Sequence, residues 1–127
     1  LNVKFSSIWS VHSFEGDYNP IHDHGTNSKT GLSTTCWTKV PDQILNRSEA
    51  NFSKYNSSGD IDGCITFQFD LGASRSAIDL HPPSSITIKP EPGKMLIFPS
   101  WLMHSVYPFK GEGERRTVAA NFDILEV

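Results

Sequence analysis

The chain is poor in cysteine, in long apolar runs, in charge of one sign and in helical periodicity, and each shortage removes a class of protein. Its two cysteines, Cys36 and Cys64, have no CxxC spacing. They form no disulfide framework or zinc ribbon and fit reduced thiols in a cytoplasmic setting. The longest apolar stretches, such as Met95-Leu96-Ile97-Phe98, fall far short of the roughly 20 residues that cross a bilayer, so a soluble protein is expected. Lys+Arg 11 against Asp+Glu 14 gives a formal charge of −3, and no basic footprint supports a nucleic-acid partner. The chain opens Leu1-Asn2-Val3-Lys4-Phe5, without a starting Met or a charged-then-apolar leader, as expected of a trimmed N-terminus.

Against these shortages stand Phe 8, Trp 3 and Tyr 3 in 127 residues, enough large side chains for one core and one domain over 1–127. Short β-branched and aromatic runs closed by Gly, Pro, Asn or Asp predict strands over 8–14, 21–24, 32–40, 64–69, 85–89, 94–98, 104–108 and 116–124. Short strands without intervening helices imply an all-β sandwich, barrel or jelly roll rather than a βαβ fold. The polar segment 46–60 is too long for a hairpin and reads as a surface excursion. Its three N-x-[ST] sequons, at Asn46, Asn51 and Asn56, follow from its Asn- and Ser-rich composition.

Histidine placement carries the chemistry. In Asn19-Pro20-Ile21-His22-Asp23-His24-Gly25, strand alternation would present His22 and His24 on one face and Asp23 on the other. Two neutral imidazoles side by side form half of a transition-metal site. His104 follows an apolar strand and a Pro-bearing turn, Phe98-Pro99-Ser100-Trp101-Leu102-Met103-His104, and a two-sheet fold can bring it back to the early pair. In the last strand, Arg115, Thr117, Ala119 and Asn121 share one face, while Arg116, Val118, Ala120 and Phe122 share the other. A buried arginine needs an anionic partner, and a ligand carboxylate serves as well as an Asp or Glu. Arg116 takes that place if the register slips by one. His12 and His81 read as a packed or exposed and a loop histidine, and Trp101 as a packing residue under the His104 turn.

Together these residues resemble the iron(II)/2-oxoglutarate-dependent dioxygenase superfamily, whose fold is the double-stranded β-helix, a cupin-like jelly roll. Trp9, Gly16-Asp17-Tyr18-Asn19, His22-Asp23-His24 and Leu32-Ser33 resemble the first half of a bacterial and phage oxygenase branch with an HxH motif and a following SGxYYLxVP strand. Here that strand is Ser33-Thr34-Thr35-Cys36-Trp37-Thr38-Lys39-Val40-Pro41, with Cys36 and Trp37 in place of the tyrosine pair. Phe98 to Pro108 resembles the branch's distal FPSWLxHxV motif, and Arg115 to Asn121 its last strand. The resemblance covers most of the chain and leaves 42–62 without a counterpart.

The resemblance implies Fe(II) held by His22, His24 and His104, with 2-oxoglutarate gripped at its far carboxylate by Arg115. It also makes Ser33, Thr35, Trp37 and Asn121 candidates to line the co-substrate pocket, since each shares strand parity with a placed residue. O2 would be the second co-substrate, an unidentified C–H bond the target, and the cytoplasm of a bacterium or of a phage-infected host cell the setting. The superfamily's usual HxD or HxE is HxH here, so either three histidines bind the metal or a bulge turns Asp23 inward. Two other readings use the same fold: a cupin-like module that binds metal or a small ligand without turnover, and a structural jelly roll with incidental histidines.

Overall fold

The computed structural model describes residues 2–25, 30–47, 61–69 and 84–126. Among the described residues, eight strands and one helical turn run in the order β1 (Asn2–Ser13), β2 (Asn19–His22), β3 (Gly31–Lys39), α1 (Asp42–Leu45), β4 (Ile65–Gln68), β5 (Ser85–Ile88), β6 (Met95–Pro99), β7 (Met103–Val106) and β8 (Arg115–Leu125). They pair into two four-stranded antiparallel sheets, ordered β1-β8-β3-β6 and β2-β7-β4-β5. The architecture is therefore all-β, as the strand-and-turn pattern predicts.

The inner faces follow from alternation. β3 buries Ser33, Thr35 and Trp37, and β8 buries Arg115, Thr117, Ala119 and Asn121, while Arg116, Val118 and Phe122 on the other face are only half-buried. Trp37 and Phe98 from one sheet meet Ile65 and Phe67 from the other, with Val40, Ile44, Leu102 and Phe109 completing the core. Side chains from both sheets thus share one interior, as in a β-sandwich.

Two strands differ most from expectation. β1 begins at Asn2 rather than residue 8, because β8 is long enough to pair with all of it and a bulge between Phe5 and Ser7 absorbs the change of face. Before the bulge, Phe5 lies edge-on to Phe122, ring centroids 5.5 Å apart, on the outer face; after it, Trp9 and Val11 line the interior. β2 spans Asn19–His22 and stops short of His24. α1 is a single turn, too short to show helical periodicity. The sequons at Asn51 and Asn56, His81, and most of the 46–60 excursion lie outside the described residues.

Candidate metal centre

His22 and His104 lie directly opposite each other on β2 and β7, and Phe67 of β4 is His104's other neighbour. His24 completes a trio whose ligating nitrogens all lie within 4.8 Å of one another. Ring centroids are 4.3 Å apart for His22 and His104, 5.0 Å for His24 and His104, and 5.4 Å for His22 and His24. Asp23 is exposed and stands outside this group.

Each ring is oriented by a bond at Nδ1. His22 Nδ1 donates to the Pro20 carbonyl at 2.6 Å, and His104 Nδ1 donates to the Leu102 carbonyl at 2.9 Å. A carbonyl can only accept, so both rings carry their proton on Nδ1 and keep a lone pair on Nε2. His24 Nδ1 meets Asn121 Oδ1 at 3.0 Å, which gives the third ring the same tautomer. Three imidazoles anchored at Nδ1, with no bond at Nε2 among the described residues, are a donor set that suits a divalent transition metal, so the residues fit such an ion.

Electrostatics favour the neutral ring at His24 and His104. Burial lowers the His104 pKa to about 4, and the nearby His22 and His24 push the same way. Burial also lowers the His24 pKa, partly offset by its bond to Asn121. Phe98 seals the interior side, its ring 5.1 Å from His104 and edge-on to His24 at 6.3 Å. Trp9 covers His24, centroids 5.3 Å apart.

The trio opens into a cavity of about 70 Å³ whose lining includes Trp9, Val11, Thr35, Trp37, Thr117 and Arg115. Thr117 and Ala119 are short and face inward between the histidines and Arg115, which leaves the space open. Arg115 is 4% exposed. Its Nη1 donates to the Gly63 carbonyl at 2.9 Å and its Nη2 to Ser13 Oγ at 3.0 Å, while Nε is buried without a hydrogen-bond partner. No carboxylate among the described residues lies within ion-pairing distance of it. Burial lowers its pKa to about 10, against smaller opposing effects of Cys64 and Asp17. A charged fork in a cavity wall, with no ion pair among the described residues, has the chemistry to take an anionic ligand.

Arg116 is engaged elsewhere. On the outer face it makes a two-pronged contact with Glu114, at 2.9 and 2.8 Å, and His12 and Lys39 meet the same carboxylate. This cluster pulls the Glu114 pKa down, with the Arg116 bonds as the largest cause.

Thr35 and Trp37 reach the cavity wall as parity predicts. Ser33 and Asn121, expected beside them, are absent from the lining. Both are buried behind His24, where Ser33 Oγ lies 2.8 Å from Asn121 Oδ1 and 3.1 Å from Ser100 Oγ. Sequence reasoning missed Thr117 in the wall, although its parity with Arg115 was legible. It also missed Ser13, which the β1–β8 pairing brings opposite Arg115. Trp101, expected to pack under the turn, is 68% exposed beside the Ser100 carbonyl that accepts the His24 main-chain N–H at 2.9 Å.

Among solved structures, the chain is similar to one described as "Bacillus endospore appendages form a novel family of disulfide-linked pili". That likeness covers 99% of this chain and 93% of the other at 8% identity, with a TM-score of 0.41. No curated protein matches the chain. A family model described as "Putative 2OG-Fe(II) oxygenase" matches residues 7–121, a span that holds the three histidines, Arg115 and Asn121, and the chain therefore belongs to this 2OG-Fe(II) oxygenase family.

Proposed function

We propose that this chain is an iron(II)- and 2-oxoglutarate-dependent dioxygenase, built as one double-stranded β-helix domain over residues 1–127, that hydroxylates a C–H bond of its substrate. The observation that carries the proposal is Arg115, a buried guanidinium without a carboxylate partner among the described residues, in the cavity onto which the three histidines open. The alternation of early and late strands in β1-β8-β3-β6 and β2-β7-β4-β5 supports the jelly-roll assignment. Cys36 and Cys64 are not joined in a disulfide, which supports a cytoplasmic setting.

His22, His24 and His104 would hold the iron through Nε2. When bound, iron(II) and 2-oxoglutarate activate O2 so that one oxygen atom enters the substrate and the other the succinate left as carbon dioxide departs. The rest of the work belongs to the protein. Arg115 binds the far carboxylate with two parallel N–H bonds and so sets which end of the co-substrate faces the histidines. Thr35 and Thr117 offer hydroxyls to the same ligand, and Trp37 and Val11 wall it from water, which strengthens every polar contact inside. Three neutral ligands leave the centre one charge more positive than a site with a carboxylate, which strengthens its attraction for an anionic co-substrate.

The test is an anaerobic titration of iron(II) into the metal-free protein with 2-oxoglutarate present, following the visible charge-transfer band of the chelate. A band in the wild type that is weakened in Arg115→Ala is expected. Tight metal binding without a band would instead identify a binding module without turnover, and no metal binding would leave a structural jelly roll.

A further inference from the structure

His24 sits outside the element that should hold it. β2 ends at His22, so no ladder partner fixes the backbone at residue 24, and strand alternation cannot account for its ring facing the other two. Two contacts do hold it, and both lead to Ser100. The main-chain N–H of His24 donates to the Ser100 carbonyl at 2.9 Å. The ring reaches the Ser100 hydroxyl through a buried chain: His24 Nδ1 to Asn121 Oδ1 at 3.0 Å, Asn121 Oδ1 to Ser33 Oγ at 2.8 Å, and Ser33 Oγ to Ser100 Oγ at 3.1 Å. Ser33 is fully buried, and Ser100 and Asn121 nearly so.

Ser33 is the donor in the middle of the chain. Its Oγ is the donor towards both Asn121 Oδ1 and Ser100 Oγ, and with one hydroxyl hydrogen the shorter bond, to Asn121, is the stronger. The amide oxygen then accepts from both Ser33 and His24 Nδ1. Its polarisation by Ser33 leaves a strong acceptor facing the ring, and the His24 lone pair is fixed on Nε2.

We infer that Asn121, supported by Ser33 and Ser100, is the positioning residue that makes His24 rather than Asp23 the third metal ligand. The inference rests on the metal-site reading above and extends it to residues that touch neither metal nor co-substrate. Because the acceptor is an amide and not a carboxylate, orientation is obtained without placing a negative charge among buried groups. Asn121 therefore separates two properties that are usually joined: the bond to His24 acts on metal affinity, and the neutrality of the amide acts on fold stability.

The experiment uses Co(II) alone as a visible probe, titrated into metal-free wild type, Asn121→Leu, Asn121→Asp and Ser33→Ala, with the unfolding temperature of each metal-free protein measured in parallel. Asn121→Leu is nearly isosteric, removes the acceptor and is expected to weaken Co(II) binding on the order of 10–100-fold, with a changed ligand-field band, while unfolding within a few degrees of wild type. Asn121→Asp restores an acceptor and is expected to hold affinity within about 3-fold of wild type or tighter, at a lower unfolding temperature because a carboxylate is now buried. Ser33→Ala, which keeps the amide, is expected to weaken binding by about 3-fold, and it carries the test if Asn121→Leu does not fold. Equal affinities in wild type and Asn121→Leu, or equal losses in the Leu and Asp variants, would overturn the inference; so would an unchanged Ser33→Ala where it is the variant relied on. A wild type that binds no Co(II) would overturn the metal-site reading itself, and this inference with it.

Discussion

Replacing Arg115 by Met separates a residue held for the fold from one held for a ligand. The depressed pKa of the buried guanidinium corresponds to about 3 kcal/mol held against its charged form. Removing the charge relieves that strain and forfeits the bonds to Gly63 and Ser13, each worth about 1.5 kcal/mol when the donor is charged. The two sums nearly cancel, so metal-free Arg115→Met should unfold within about 1 kcal/mol of wild type. A structural buried ion pair losing one partner would instead cost about 3–5 kcal/mol. Co-substrate binding should behave oppositely. Loss of a buried two-pronged contact to a carboxylate costs about 3 kcal/mol, which lowers 2-oxoglutarate affinity on the order of 100-fold. Trp9 and Trp37 line the cavity, so their fluorescence reports 2-oxoglutarate binding in the presence of redox-inert Mn(II), and urea unfolding gives the stability arm. Arg116→Met is the control and should leave affinity within about 2-fold, since Arg116 is bound to Glu114 on the outer face. A variant destabilised by more than about 3 kcal/mol with unchanged affinity would refute the reasoning and return Arg115 to the fold.

Two further outcomes follow from the same geometry. Gly63 has φ +70 and a Cβ there would stand 2.6 Å from Ile44 Cδ1 in the packed core, so Gly63→Ala should cost about 2–4 kcal/mol, read as a lower urea midpoint. A loss below about 1 kcal/mol would show that Ile44 yields without strain. Burial lowers the His104 pKa to about 4 from 6.5, so the metal-free fold binds fewer protons than the unfolded chain between those values. The contribution is complete above about pH 6.5 and is lost as pH falls towards 4, by about 3 kcal/mol. Urea midpoints at pH 7 and 4.5 should therefore differ less in His104→Gln than in wild type, and equal pH dependence in both would contradict the assignment.

The eight strands were legible because each carries its own β-branched or aromatic run and its own turn residues. The inner faces of β3 and β8 were legible because alternation has a period of two and both strands are long enough to show it. The ends were not. Nothing in Asn2–Ser7 distinguishes strand from coil until β8 is present to pair with it, and a bulge breaks the alternation midway. The convergence of His22, His24 and His104 was anticipated, but for a reason that holds only for His22. His24 owes its place to hydrogen bonds with residues 97 and 76 positions away, and no local pattern encodes such bonds. Ser33 and Asn121 have the parity of pocket residues, and alternation gives the direction of a side chain without saying whether a neighbour or a void receives it. Trp101 was misjudged because tryptophan is usually buried, whereas here it sits at a turn between two strands.

The β1–β8 pairing also orders events in time. Ser13 meets Arg115 across the sheet, His12 meets Glu114 from 102 positions away, and the ligand chain ties residue 24 to residue 121. Such distant closures make the last strand the slow part of assembly. A chain halted before Arg115 already carries all three histidines, but neither the guanidinium proposed to seat the co-substrate nor the amide bonded to His24. Metal captured at that stage would meet an unordered third ligand and no anion seat. On the proposed reading, the centre is complete only once β8 has entered the sheet.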